Sequence, residues 1–313
     1  MVKEERWLRE TYVDLLIEYA KKDDRLVILE ADLSKAAGTG RFKEAFPEHT
    51  INVGIAEANM IGVAAGMNAM GKIPFTHTFT PFATRRSCDQ VTLSVAYAGL
   101  NVKMMGSDPG VTAELNGGTH MSMEDVSIMR NIPGMTIYEP VDSVQLRAIF
   151  PQIFALETPV YIRLLRRNAV AVFKEGETFT LGKGKLMKEG ADVSVFASGI
   201  EVAQAIEAAE TLQAEGISAE VINIHTIKPL DTEMVLASAK KTGAVVVAEN
   251  HSIIGGLGSA IAETLSENLP TPLRRVGVTD HFGEVGSTDF LMEKYGLMAK
   301  DIVKAAKEAV AMK

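Results

Sequence analysis

Between Arg6 and Lys22, apolar side chains recur at helical spacing (Leu8, Tyr12, Leu15, Leu16, Tyr19), which predicts an amphipathic helix. A short apolar run, Leu26–Leu29, follows and passes into Glu30, Ala31 and Asp32, then into a Ser- and Gly-rich loop. This is the pattern of a buried strand with a polar loop at its carboxyl end, where open α/β sheets place ligands. The alternation continues with a helix from about Glu57, a strand at Ile73–Phe79, a helix near Arg85–Ala98 and a strand at Val102–Met105. Gly106–Gly118, rich in Gly, Pro, Asp and Asn, reads as a loop. Met123–Arg130 reads as helix, Thr136–Glu139 as strand, Val144–Leu156 as helix and Val160–Leu164 as strand.

Around Ala169–Gly190 the periodicity fades and Lys, Glu and Gly accumulate. Beyond it, strands are predicted at Val193–Ala197, Ala219–Ile224, Ala244–Glu249 and Leu273–Val278. Helices are predicted at Glu201–Glu215, Asp231–Lys240, Gly258–Glu267 and Ala299–Met312. Strands separated by helices of this length pair in parallel, so each half is expected to be a doubly wound α/β domain with a mostly parallel sheet. The divisions read from the pattern are a first domain at 1–172, a linker at 173–190 and a second domain at 191–313.

Composition narrows the function classes. A chain of 313 residues fits two domains, and 47% hydrophobic with 23% charged residues is ordinary for a soluble globular protein. A net charge of −8 argues against nucleic acid or an anionic membrane as the main partner. The single cysteine, Cys88, excludes an internal disulfide and fits a reducing cytoplasm. The N-terminus carries no apolar signal region, and no run approaches the ~18 apolar residues of a membrane span. GxxxxGK[ST], HExxH, GxSxG and any Cys/His cluster with metal spacing are missing. Gly255–Gly258 opens a helix after a strand, but without the spacing of a dinucleotide fingerprint.

Four stretches hold candidate chemistry. In NVGIAEANMIGVAAGMNAMG (Asn52–Gly71), Glu57 opens a run of small and apolar residues, with Met60, Ile61 and Ala64 on its own helical face. It is either a first-turn glutamate stabilised by the helix dipole by about 0.3–1 kcal/mol, or a carboxyl facing a dry pocket and able to hydrogen-bond a ligand nitrogen. In THTFTPFATRRSCDQ (Thr76–Gln90), Phe79 and Phe82 are core aromatics or a wall for a flat heteroaromatic ring. In DPGVTAELNGGTHMSMED (Asp108–Asp125), His120 sits in a Gly-rich loop, a poor place for a structural histidine, and is the favoured substrate contact; His77 is less persuasive. In YIRLLRRN (Tyr161–Asn168), one of Arg163, Arg166 and Arg167 is placed to grip an anionic group, unless all three snorkel.

Together with EADLS (Glu30–Ser34), IKPLD (Ile227–Asp231) and VVVAENH (Val245–His251), these stretches resemble, in order and spacing, the C-terminal half of transketolase. That half comprises the pyrimidine-binding and C-terminal domains of a thiamine-diphosphate enzyme. The resemblance implies that Glu57 protonates the pyrimidine N1′ of thiamine diphosphate, the cofactor supplying the ylid and the electron sink. It implies that Phe79 and Phe82 line the pyrimidine pocket, with Asp32 near the cofactor. His120 is implied to contact the donor hydroxyl next to the carbonyl, and Arg166 and Arg9 to hold a sugar phosphate. Such a protein transfers a two-carbon ketol unit from a ketose to an aldose, in carbohydrate metabolism of the pentose phosphate kind.

The departures from the family pattern are as informative. An aspartate usual four residues before the loop histidine is Asn116, and a phosphate-gripping histidine is Asp108. A phosphate-binding serine falls on Ala36, and a pocket tyrosine falls on Arg85. An acidic Asp108 repels a phosphate dianion, so the sugar is expected to differ from the usual phosphate, or Arg85 to share the anion grip. The Gly-Asp-Gly motif that holds the diphosphate through Mg²⁺ (or Ca²⁺) is missing. An N-terminal-type partner subunit is therefore expected to bring it, two copies of each chain forming a self-associated heterotetramer. The rival expectations are a β subunit of a 2-oxoacid dehydrogenase E1 component, whose loop usually differs from GGTHMSMED, and a non-catalytic scaffolding paralogue.

Overall fold

The computed structural model describes residues 2–313. Six strands lie in the first half: β1 (Leu26–Glu30), β2 (Thr50–Asn52), β3 (Ile73–Phe79), β4 (Lys103–Ser107), β5 (Thr136–Tyr138) and β6 (Val160–Leu164). The second half adds β7 (Lys185–Lys188), β8 (Val193–Ala197), β9 (Ala219–Asn223), β10 (Thr226–Lys228), β11 (Val245–Ser252) and β12 (Leu273–Val278). They form two sheets, ordered β10-β5-β6-β4-β3-β1-β2 and β12-β11-β8-β9-β7. All pairings are parallel except β10 on β5 and β7 on β9.

Helices cover both faces, so the central strands are buried throughout. Every residue of β1, β3, β4, β6, β8 and β9 is buried, as parallel sheets require. This is the expected two-sheet, mostly parallel architecture. The two antiparallel additions were not foreseen. β10 comes from the second half yet extends the first sheet, and β7 lies inside the stretch 173–190 expected to be linker, as an edge strand. At three and four residues, both are too short to show a period of two.

Three segments depart locally from expectation: the Ser- and Gly-rich stretch after Asp32, expected to be loop, holds the short helices Ser34–Ala37 and Gly40–Ala45, and two others also differ. Arg85–Ala98 is not one helix: Arg85–Ser87 is a 3-10 turn, Cys88–Gln90 a single α-turn, and Val91–Tyr97 winds as a π-helix. Thr84 (φ −112°, ψ −82°) lies outside helical space, and the Ser87 and Thr92 hydroxyls donate to the Phe82 and Cys88 carbonyls, loosening the regular ladder. The expected loop Gly106–Gly118 contains the end of β4 and a 3-10 helix, Gly110–Asn116, kinked at Glu114 (φ 50°).

The halves meet through charged groups as well as apolar ones. Arg163 on β6 is 1% exposed and donates to Asp125 at 2.8 Å, to Glu139 at 2.6 Å and to the Asn250 carbonyl of β11 at 2.6 Å. Glu139 in turn accepts from Ser198 at the end of β8. Arg163 is thus a structural clamp, and its candidacy as an anion grip is withdrawn. Gly255–Gly258 also has a structural role: the Glu249 carboxylate accepts from the Leu257 and Gly258 N–H groups, so a side chain already fills that helix N-terminus.

Candidate functional site

Parallel pairing puts the carboxyl ends of β1, β3, β4 and β6 along one sheet edge. Phe79 pairs with Ser107, and Ser107 with Leu164. The residues just beyond them, Thr80–Phe82, Asp108 and Arg166, therefore emerge side by side. Helix Glu57–Ala69 begins near the same edge, because the chain crosses directly from β2, the neighbour of β1.

Most of the candidate residues join in one continuous line. Glu57, 2% exposed, accepts a hydrogen bond on Oε1 from Arg86 Nη1 at 2.8 Å. The Arg86 guanidinium lies over the Phe82 ring, 3.8 Å from its centroid. Phe82 meets the His120 imidazole edge-on, ring centres 5.1 Å apart, and His120 meets Phe79 at 5.8 Å. The Arg166 guanidinium stands 5.6 Å from the Phe79 centroid, and its Nε is 2.9 Å from Asp108 Oδ2. Thr119 Oγ1 lies 2.9 Å from His120 Nδ1, which leaves Nε2 for a ligand.

The Asp108–Arg166 end has its own electrostatics. Asp108 is fully buried at φ 56°, and burial pushes its carboxyl up to about 6 against the opposing charge of Arg166. Its ion pair with Arg166 lies off the line of a hydrogen bond, so neither Asp108 oxygen nor Arg166 Nε has a hydrogen-bond partner. Arg9 shares this field: burial and the Arg166 charge pull its guanidinium below its ordinary value. Arg9 donates to the Ala36 carbonyl and lies over Trp7, its Nε unpartnered. Arg167 is paired with Glu114 at 2.7 Å.

The remaining candidates stand apart from this line. Asp32 is exposed at the end of β1 (φ 59°), exchanging hydrogen bonds with Asn52. Asn116 is exposed at the end of the 3-10 helix. Arg85 ion-pairs with Glu124 at 2.8 Å, bracing the loop that carries His120 instead of joining Arg9 and Arg166. His77 is buried, 3.1 Å from the Tyr12 hydroxyl, and belongs to the sheet interior.

Sequence reasoning missed two residues. Arg86 gives Glu57 a cation where only apolar neighbours were foreseen; its spacing of four from Phe82 was the available signal. Asn250, from the second half, pins the loop that carries Asp108: its side chain accepts from Val111 N and donates to the Pro109 carbonyl, both at 2.9 Å. Gly110 (φ 52°) is required there, since any Cβ would collide with Asn250.

A buried carboxyl and two aromatic rings suit an aminopyrimidine ring, and the loop histidine stands beside them. The transketolase pyrimidine-binding domain matches residues 5–170, and the transketolase C-terminal domain matches residues 182–302. The chain belongs to the transketolase family. This transketolase-type transferase is 70% identical over 310 residues to the 6-deoxy-6-sulfo-D-fructose transketolase subunit SqwH of Clostridium sp. (strain MSTE9), covering 99% of this chain and 96% of that one. It is 41% identical over 304 residues to a putative transketolase C-terminal section of Methanocaldococcus jannaschii, covering 96% and 95%. Among solved structures it matches a split gene transketolase described as an inactive beta4 tetramer. The TM-score is 0.91 at 46% identity, covering 98% of this transketolase and 99% of that chain. The family's enzymes use thiamine diphosphate. The carboxyl of Glu57 and the rings of Phe79 and Phe82 are chemically suited to its pyrimidine half. Among the described residues, no three His, Cys, Asp or Glu side chains group to hold a metal ion. No helix of the described residues is long and apolar enough to cross a membrane.

Proposed function

We propose that this chain is the C-terminal subunit of a split, thiamine-diphosphate-dependent transketolase whose donor is a ketose with an anionic terminus, a 6-sulfonated ketohexose in particular. The observation that carries the reading is the unbroken line from Glu57 through Phe82, His120 and Phe79 to Arg166 and Asp108. Glu57 and the two rings, with His120 between the rings, stand toward one end of this line and the Arg166–Asp108 pair at the other, which supports a cofactor ring at the first and an anionic sugar terminus at the second. The 70% identity to a sulfofructose transketolase subunit supports the choice of sugar, and the near-complete coverage of relatives named as subunits or sections supports a split enzyme.

In this reading Glu57 holds a proton against the pyrimidine N1′, its burial excluding the water that would compete. Phe79 and Phe82 fix the plane of the ring, and His120 Nε2 hydrogen-bonds the donor hydroxyl beside the carbonyl. Asp32 lies at the rim, near the cofactor. Arg166 and Arg9 receive the terminal anion. The bound cofactor supplies the nucleophilic carbon and the electron sink. Its diphosphate and Mg²⁺ (or Ca²⁺) fall to an N-terminal-type partner subunit. Self-association then gives two copies of each chain.

The test is reconstitution. The chain mixed with a Gly-Asp-Gly-bearing partner subunit, thiamine diphosphate and Mg²⁺ should transfer a two-carbon unit from 6-deoxy-6-sulfofructose to an aldose. Either chain alone should not. Ketol transfer by this chain alone, or decarboxylation of a 2-oxoacid in its place, would refute the reading.

A further inference from the structure

The anion end contains an element that a plain anion site would not have. Asp108 is fully buried, with neither carboxylate oxygen hydrogen-bonded, next to Arg166 at 2.9 Å and in the field of Arg9. The Nε atoms of both arginines are also unpartnered. The neighbouring Arg167 is spoken for by Glu114. Arg9 and Arg166 together bring two positive charges, and Asp108 removes one of them. A buried carboxylate in an anion pocket weakens every anion. What such a repulsive element supplies is discrimination, because its penalty grows with the ligand's charge.

We propose that Asp108 is a specificity-determining residue: with Arg9 and Arg166 it sets the donor-anion subsite to a single net positive charge, and so selects a monoanionic sulfonate over a dianionic phosphate. This rests on the reading above that the sugar terminus sits at Arg166. A sulfonate has three acceptor oxygens and one charge at every working pH, and one net positive charge neutralises it. A phosphate ester above its second ionisation, near about 6, carries close to two charges and three acceptor oxygens. Its extra charge adds to that of the buried Asp108 beside Arg166, where like charges interact far more strongly than in water. The left-handed backbone at Asp108 and the pinning of its loop by Asn250 keep the carboxylate from turning away.

The experiment uses the reconstituted complex at pH 8, where phosphate esters are dianions. Wild type and Asp108→Asn are compared with 6-deoxy-6-sulfofructose and fructose 6-phosphate as donors. Asparagine has the same shape and tolerates a positive φ. The ratio of kcat/KM for sulfonate over phosphate should fall at least tenfold in the variant, chiefly through a lower KM for the phosphate. A change below threefold, or one toward the sulfonate, overturns the proposal. Titration of the wild-type complex with ethanesulfonate and ethyl phosphate, read by calorimetry, needs neither a variant nor turnover. Tighter binding of ethanesulfonate supports the proposal, and tighter binding of ethyl phosphate overturns it. A wild-type complex that transfers no ketol unit refutes the proposed function alone, since calorimetry still decides the charge preference.

Discussion

Arg86 Nη1 holds Oε1 of the buried Glu57 at 2.8 Å while the flat face of the same guanidinium covers Phe82 at 3.8 Å. One side chain thus engages both Glu57 and Phe82. Arg86 is about half exposed, at 46% of its side chain, and Glu57 is 2% exposed. The ion pair as such is therefore solvent-screened and worth little. The larger quantity is the cost of leaving Glu57 buried without a donor.

That asymmetry gives the first prediction. Arg86→Ala should lower stability by about 1–3 kcal/mol, the penalty for an unsatisfied buried polar group. Glu57→Gln on its own should cost less, and adding it to Arg86→Ala should recover most of the loss, because no charge is then stranded. Urea unfolding of the four proteins closes the cycle. Additive effects of the two changes would mean that Arg86 acts through Phe82 and not through Glu57.

The second prediction concerns turnover. Glu57→Gln keeps the volume and the hydrogen-bonding capacity of the side chain but cannot deliver a carboxyl proton. In the reconstituted complex it should reduce ketol transfer by about 10²–10⁴-fold, the usual range for a lost acid–base group. Unfolding should meanwhile stay near wild type. Near-normal turnover by Glu57→Gln would remove Glu57 from the catalytic role given to it here.

How far the sequence disclosed this arrangement depends on the kind of interaction. The strands Ile73–Phe79, Val160–Leu164 and Leu273–Val278 were legible to the residue, because apolar residues open and close each of them and Gly71, Pro159 or Pro272 stands just ahead. Parallel order then fixed which strand ends share an edge, which is why Phe82, His120 and Arg166 read from separate motifs prove to be neighbours. The pairings between remote charges stayed hidden. Nothing local marks Arg163 as a buried clamp across the two halves and Arg166, three residues on, as the partner of Asp108. The difference lies in Asp125, Glu139 and Asn250, which arrive from three other segments. The π-wound Val91–Tyr97 was hidden as well, since its composition is that of an ordinary helix.

Arg163 supports the third prediction. Burial raises the Asp125 carboxyl, but the charges of Arg163 and His251 outweigh it and hold it below its ordinary value. Arg163→Met would strand Asp125 and Glu139 as buried anions and should cost about 3–5 kcal/mol. The triple variant Arg163→Met, Asp125→Asn, Glu139→Gln should regain much of that loss, as measured by urea unfolding. A loss under 1 kcal/mol for Arg163→Met would show that water reaches the cluster. Because the folded carboxyl of Asp125 ionises more readily than the unfolded one, its contribution is present above the ordinary carboxylate range and is lost as pH falls below it.

The last prediction has the opposite sign of pH dependence. Glu30 is 1% exposed; its Oε1 accepts from the Thr39 hydroxyl, and its Oε2 has no partner. Burial pushes this carboxyl up to about 8, and burial pushes the adjacent His77, 3.5 Å away, down to about 4. Between pH 4.5 and 8 the folded state keeps a proton on Glu30 that the unfolded chain has lost, so stability falls as pH rises. His77 works the other way from pH 4 to its unfolded value near 6.5: there the unfolded chain holds the extra proton, and stability rises with pH. The two slopes oppose each other up to about pH 6.5 and leave Glu30 unopposed from there to pH 8. A single proton sets a slope of at most ~1.4 kcal/mol per pH unit in that window. Glu30→Gln should remove this component, so that urea midpoints of variant and wild type diverge in the variant's favour from pH 6.5 to 8. Parallel curves across that range would mean that Glu30 is already ionised in the folded protein, with its charge balanced by a group other than Thr39 or His77.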